Sequence, residues 1–233
     1  MLTEELEGML PRRDHAELLS AAASRYRSSG KFAFHYVASK LARDPVTEAL
    51  FDLADEGGFG DVVDIGCGRG HFAAVLLISG LARSVIGVDV NARHLAQAEH
   101  ALQDLAFEAR WQDLAAPPSI PAADTVLLID VLYQLTDDAQ QTLLQHAARA
   151  ARRRLIIRTA DPSRGLRSWA TRTLEMGFRG VWPHAGRHVN ARPLRAIIDT
   201  LAGCNMTCQA VPCWAGTPFS NMLLVAEPKG AAD

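Results

Sequence analysis

The stretch Val62-Val63-Asp64-Ile65-Gly66-Cys67-Gly68-Arg69-Gly70 constrains this chain more than any other. A short valine- and isoleucine-rich run fits a buried strand. It leads straight into three glycines spaced two apart, which allow a tight turn and close approach of the backbone to a ligand. A helix is expected over 69–79, stopped by Gly80. Strand, glycine turn and helix together open an α/β unit. The dinucleotide fingerprint G-x-G-x-x-G fails, because His71 stands where its third glycine belongs. A pyrophosphate cradle on the helix N-terminus is therefore not expected.

The chain has 233 residues, enough for one buried core and short for two, so a single domain over 1–233 is expected. Its parts are a helical N-terminal region over 1–57, a glycine-loop half over 58–161 and a final segment over 162–233. Strand-length apolar runs alternate with helix-period segments. Strands are expected at 61–65, 84–88, 106–111, 125–129 and 155–159, with helices at 92–102 and 137–150. Asn91 is the expected cap of the first of these helices. Pro193 opens a further helix that Gly203 ends. Two last strands, near 206–211 and 221–226, have no helix between them and so read as an antiparallel pair. Amphipathic stretches at 14–28 and 46–55 precede the first strand and suit the carboxyl edge of the sheet.

The pattern D-x-G-x-G-x-G from Asp64 to Gly70 resembles motif I of the class I S-adenosylmethionine-dependent methyltransferases. The resemblance implies a Rossmann-like, doubly wound, seven-stranded sheet, mostly parallel with an antiparallel last strand, plus N-terminal helices. It implies S-adenosylmethionine as cofactor, with Asp64, Gly66, Cys67, Gly68 and Gly70 wrapping its methionine part. Ile86-Gly87-Val88-Asp89 ends the second strand on a carboxylate, 19 positions after Gly70. A carboxylate accepts from both hydroxyls of a ribose, so Asp89 is the expected ribose ligand and Val90 its neighbour. Trp111-Gln112-Asp113-Leu114 resembles the adenine-contacting segment, with Asp113 accepting from the exocyclic amine and Leu114 beside it. The run from Thr125 to Leu135 resembles motif IV, with Asp130 at the strand end toward cofactor and substrate. The plainer readings are that Asp89 caps a helix, Asp113 serves a turn, Asp130 is structural and Cys67 is a small filler.

Methyl transfer from a sulfonium needs alignment and, for some acceptors, removal of a proton. Histidine has the right proton affinity near neutrality, so His184, His188 and His35 are candidate bases, with Asp130 a further catalytic candidate. The strand-four sequence D-V-L-Y lacks the N/D-P-P-Y tetrapeptide of amino-methylating nucleic-acid enzymes. Pro212-Cys213 lies out of place for a cytosine C5 nucleophile. Net charge is −2, which argues against a whole-protein nucleic-acid binder. Yet 12 arginines lie between 149 and 195 against two acids, which suits an anionic acceptor or the acidic face of a carrier protein. A general preference for arginine, 21 against 3 lysines, is the competing explanation.

Lys31-Phe32-Ala33-Phe34-His35-Tyr36, then Lys40-Leu41 and Asp44-Pro45-Val46, resembles the leader of small bacterial methyltransferases of aryl-polyene or fatty-acid-like pigment clusters. That resemblance implies acyl carrier proteins as partners and sets Tyr36 and Lys40 over the cofactor pocket. An amphipathic helix packing Phe34, Val37 and Leu41 explains the same residues. The four cysteines form no CxxC pair and no HExxH occurs, so no metal is expected. The longest apolar run, 73–78, is far short of the ~20 residues a membrane span needs. The acidic start, broken by Gly8, lacks the order of a secretory signal, so a cytoplasmic protein is expected. The reading is methyl transfer to a small-molecule or carrier-linked acceptor, most simply at oxygen. The rivals are an RNA or protein methyltransferase and a non-catalytic cofactor-binding scaffold.

Overall fold

The computed structural model describes residues 12–54, 57–162, 190–215 and 220–230. Its strands form the mixed, Rossmann-like seven-stranded sheet expected, in the order 107–111, 82–89, 60–65, 123–129, 151–160, 221–228, 206–212. The chain divides into two compact units, Met1–Trp111 and Gln112–Asp233.

The first unit begins with three helices, α1 (Arg12–Ser24), α2 (Lys31–Arg43) and α3 (Pro45–Leu53). Helix α2 buries Ala33, Val37 and Leu41, one residue per turn on a single face. Asp44 separates α2 from α3 and caps α3 by accepting from the Val46 N–H at 3.1 Å, with Pro45 in its first turn. Next come β1 (Gly60–Ile65), α4 (His71–Ile78), β2 (Ala82–Asp89), α5 (Ala92–Leu102) and β3 (Phe107–Trp111). Strand β1 pairs parallel to β2, and β2 parallel to β3. Helix α4 is buried along nearly its whole length, which explains why its sequence is apolar without a polar face. Asn91 caps α5 by accepting from the His94 N–H at 3.1 Å, and Leu95, Ala98 and Leu102 are buried as the spacing predicts.

The second unit holds β4 (Ala123–Ile129), a single 3-10 turn (Leu132–Gln134), α6 (Asp137–Ala150), β5 (Ala151–Ala160), α7 (Leu194–Gly203), β6 (Met206–Pro212) and β7 (Asn221–Pro228). Strand β4 pairs parallel to β5, while β7 runs antiparallel to both β5 and β6. Helix α6 spans the expected residues, capped by Thr136 and burying Leu143, Leu144 and Ala147. Strand β5 starts at Ala151, four positions before the apolar run that marks it in sequence. Arg152 and Arg153 are exposed there, but Arg154 is buried, so charge hid part of a real strand. Among the described residues no helix is long and apolar enough to cross a membrane.

Candidate cofactor site

The glycine turn is held in place by hydrogen bonds from four of its own N–H groups. Those of Gly66 and Cys67 donate to the Val88 carbonyl at 2.6 and 3.1 Å, and the Gly70 N–H donates to the Cys67 carbonyl at 2.9 Å. The Gly68 N–H donates to Asp89 Oδ2 at 2.8 Å. Glycines 66, 68 and 70 all have positive φ (75°, 55° and 69°), a region that penalises any side chain with a Cβ. A Cβ on Gly68 would enter open space, with no atom within 4 Å, so this part of the turn faces a void and not a packed neighbour.

Two carboxylates flank the turn. Asp89 Oδ1 accepts from the Asn91 N–H at 2.7 Å while Oδ2 accepts from Gly68, so two main-chain donors hold the group still. The α5 cap itself is Asn91, and the plain capping reading of Asp89 does not describe its role. Asp64 is 2% exposed, and its Oδ2 has no hydrogen-bond partner. Burial, and then the charge of Asp89, push the Asp64 carboxyl up to about 7. A buried carboxylate oxygen without a donor costs free energy on the order of 1–3 kcal/mol, which a cation or donor from a ligand would offset.

Cys67 is buried, and burial followed by the charges of Asp64 and Asp89 push its thiol well above the ordinary range. That makes it a packing group and a poor nucleophile. Its sulfur fills space that only a glycine at 87 leaves open, since a Cβ there would lie 2.8 Å from Cys67 Sγ.

Three residues beside this turn were not foreseen as site residues. Tyr26 is fully buried and donates from Oη to the Arg69 carbonyl at 2.7 Å, fastening the turn to the chain after α1. Burial raises its phenol far above the usual range, so it stays protonated and donates. Arg69 lays its guanidinium over the rings of Tyr36 and Phe32, at 4.8 and 5.7 Å, and donates from Nε to Gln97 Oε1 at 2.9 Å. His71 is buried at the start of α4, edge-on to Tyr36. The aromatic residues of 26–36 carried the available signal, but spacing alone does not say which helix face meets the turn.

The remaining expected site residues fall as follows. Tyr36 lies against Arg69 and His71, whereas Lys40, one turn further along α2, pairs with Asp44 at 2.7 Å. His35 is exposed and sits edge-on to Phe34. Val90 is exposed after Asp89, and its carbonyl accepts from Trp111 Nε1 at 2.8 Å. In the second unit, Asp113 is exposed and accepts from the Ala115 N–H at 2.9 Å, the turn role that was its plainer reading, and Leu114 is buried. Asp130 adopts a left-handed φ of 62° at the end of β4. Its Oδ1 accepts from Arg158 Nε at 2.8 Å and its Oδ2 from Arg158 Nη2, a bidentate pair. Arg158 is 2% exposed, an internal cation for which Asp130 is the counterion. Its position in the middle of an apolar strand gave no sign of that pairing. His184 and His188 lie outside the described residues, as does most of the arginine-rich segment.

The donor set suits S-adenosylmethionine, which presents an ammonium, a sulfonium and a ribose diol. Asp64 offers an unpaired anionic oxygen, Gly68 an open approach, and Asp89 a fixed carboxylate with lone pairs to spare. Among the described residues no cluster of His, Cys, Asp or Glu has metal-binding geometry.

Comparison with known proteins bears on the fold and on the domain that carries the glycine turn. A family model described as a methyltransferase domain matches residues 62–154. No curated protein matches the chain in sequence. Among solved structures, magnesium protoporphyrin IX methyltransferase from Synechocystis PCC 6803, with bound S-adenosylhomocysteine, superposes with a TM-score of 0.63 at 20% identity, covering 94% of this chain and 99% of its own. A S-adenosylmethionine-dependent methyltransferase from Mesorhizobium loti gives 0.63 at 17% identity, covering 80% of this chain and 99% of its own. An N-methyltransferase from Bradyrhizobium japonicum WM9, in complex with S-adenosylhomocysteine, gives 0.58 at 17% identity, covering 81% and 89%. The chain thus carries a match to a methyltransferase domain over residues 62–154, and its mixed seven-stranded sheet shares the fold of S-adenosylmethionine-dependent methyltransferases of known structure.

Proposed function

We propose that the protein transfers a methyl group from S-adenosylmethionine to an oxygen of a small-molecule or carrier-linked acceptor, acting as a single domain in the cytoplasm. The observation that carries the cofactor half is the unpartnered, buried Asp64 Oδ2 beside a glycine turn whose Gly68 faces open space. When bound, the cofactor supplies an electrophilic methyl on a good leaving group. The chain's own residues then have to bind, orient and exclude water. Asp64 receives the ammonium, Asp89 the ribose hydroxyls, and the left-handed glycines keep side chains out of the way. Asp113 and Leu114 border the adenine. Tyr36 on α2, packed against Arg69 and His71, is the residue suited to cover the turn.

An oxygen acceptor needs somewhere for its proton to go. Asp130 is poorly suited, because both its oxygens are engaged by Arg158. His184 and His188 remain the proposed proton acceptors, in a segment whose arginine excess suits an anionic or carrier-linked acceptor. The solved relatives act on different acceptors by their names, a magnesium porphyrin in one and nitrogen in another, so the acceptor has to be argued from this chain's own residues.

Calorimetric titration with S-adenosylhomocysteine tests the cofactor reading, and transfer of labelled methyl to a panel of phenols, carboxylic acids and acyl carrier protein conjugates tests the acceptor. Micromolar binding with labelling of an oxygen acceptor is expected. Folded protein that binds neither S-adenosylmethionine nor S-adenosylhomocysteine would overturn the reading in favour of a scaffold.

A further inference from the structure

We propose that Arg69 and Arg93 form an oxyanion subsite for the acceptor, with the Phe32 ring as its apolar floor, so that the acceptor is an anion carrying a flat or apolar body. The inference rests on the methyltransferase reading and deepens it, by naming what the acceptor must present.

Arg69 is a charged side chain only 8% exposed, and among the described residues no carboxylate pairs with it. Its Nε is taken by the neutral amide of Gln97, and its guanidinium lies over the Tyr36 and Phe32 rings; its Nη groups donate to nothing among the described residues. Buried guanidinium groups usually come with a counterion, as Arg158 does with Asp130. The charge that acts on Arg69 from α5 is a second cation, Arg93. Arg93 is exposed on the first turn of α5, one helical turn before Gln97, so both project from the same side of that helix. Burial lowers the proton affinity of Arg69, the Tyr36 hydroxyl opposes that effect, and the charge of Arg93 adds to it.

The positive charge of Arg93 acts unfavourably on the Arg69 guanidinium, and an anion bound at Arg69 offsets it. Contacts with two rings and a bond to Gln97 hold Arg69 in one orientation, so little rotamer entropy is lost when an oxyanion binds. Phe32 is 66% exposed next to this charge, an arrangement that suits a ligand with an apolar body adjoining its anionic group. Carboxylate and phosphate share this chemistry, and the test separates them.

The protein saturated with S-adenosylhomocysteine is titrated calorimetrically with phenyl phosphate, benzoate, inorganic phosphate and neutral benzamide. At least one aryl anion is expected to bind, tenfold or more tighter than benzamide, and the tighter of the two names the group. Arg69→Gln and Arg93→Gln are each expected to weaken that anion at least fivefold. Phe32→Ala is expected to weaken the aryl anion at least threefold and leave inorganic phosphate within twofold. S-adenosylhomocysteine affinity is expected to stay within twofold in Arg93→Gln and Phe32→Ala. Arg93 and Phe32 are exposed, so their variants carry the test if Arg69→Gln fails to fold. Absence of anion binding, or equal binding by the variants, would overturn the proposal. A tenfold loss of S-adenosylhomocysteine affinity in Arg69→Gln would overturn it too, by giving the arginine to the cofactor. Failure of the wild type to bind S-adenosylhomocysteine sinks the methyltransferase reading alone, since anion titration of the ligand-free protein still reads the arginine pair.

Discussion

The Gly68 N–H donates to Asp89 Oδ2 at 2.8 Å, which joins the middle of the glycine turn to the end of the neighbouring strand. The same carboxylate accepts from the Asn91 N–H at 2.7 Å, so it arrives at a ligand already oriented. Pre-orientation of this kind lowers the entropy cost of binding.

Asp89→Ala removes both functions of that carboxylate, the ligand contact and the brace on the turn. Hydrogen bonds to a charged group contribute about 1.5–3 kcal/mol, so S-adenosylhomocysteine affinity should fall roughly tenfold or more. Asp89→Asn keeps one accepting oxygen and should fall less. Calorimetric titration of the three proteins decides it, and equal affinities would remove Asp89 from the site.

Asp64 makes stability depend on pH. Its folded carboxyl titrates near 7 because burial raises it, while in the unfolded chain it titrates in the ordinary carboxylate range. Between about pH 4 and 7 the native state holds a proton that the unfolded state has lost. The Asp64 contribution therefore weakens as pH rises through that window and levels off above 7, by on the order of 4 kcal/mol. Asp64→Asn should lose this slope, measured as urea unfolding free energies from pH 4.5 to 8. In the wild type, S-adenosylhomocysteine should bind more tightly as pH rises from 6 to 8, because the ionised carboxylate suits an ammonium. The same Asp64→Asn substitution should flatten that profile.

Gly87→Ala places a methyl 2.8 Å from Cys67 Sγ and 2.8 to 2.9 Å from the Phe107 ring, closer than carbon atoms pack. Overpacking of this kind costs about 1–3 kcal/mol. A lower urea midpoint is expected, with weaker S-adenosylhomocysteine binding because Cys67 belongs to the turn. Adding Cys67→Ala removes one of the two clashes and should restore part of the stability. Full additivity of the two losses would refute the proposed clash.

Asp130→Ala removes the carboxylate that accepts from two nitrogens of the buried Arg158. Breaking a buried pair from one side costs about 3–5 kcal/mol. The double variant Asp130→Ala with Arg158→Met should be more stable than Asp130→Ala alone in urea unfolding. If the single variant is as stable as wild type, the pair has no structural role and Asp130 returns as a candidate for the chemistry.

The architecture was legible because its signals are local. Val62 to Ile65 has no polar alternation and so has to be buried on both faces. The glycines at 66, 68 and 70 fit a turn and little else, and Asn91 and Thr136 are caps by side-chain chemistry alone. The antiparallel end was legible too, since nothing between 211 and 221 is long enough to cross back over a sheet. Asp64, inside the first strand, and Asp89, at the end of the second, could be singled out because they stand where the motif resemblance implies a carboxylate. Strand β5 was cut short because Arg152 to Arg154 look like solvent-facing charge, and only packing decides that Arg154 is inside.

What the tertiary structure alone decided is which charges meet. A charge has the same letter whether its partner is four residues away, as Asp44 is for Lys40, or 28 away, as Asp130 is for Arg158. Sequence patterns report backbone conformation and burial, which depend on neighbours along the chain. Pairing depends on distance in space. Hence the glycine loop was readable from its sequence, while the engaged Asp130, the buried Tyr26 fastened to the turn and an Arg69 bonded to Gln97 and to no described carboxylate became visible only once the chain was folded.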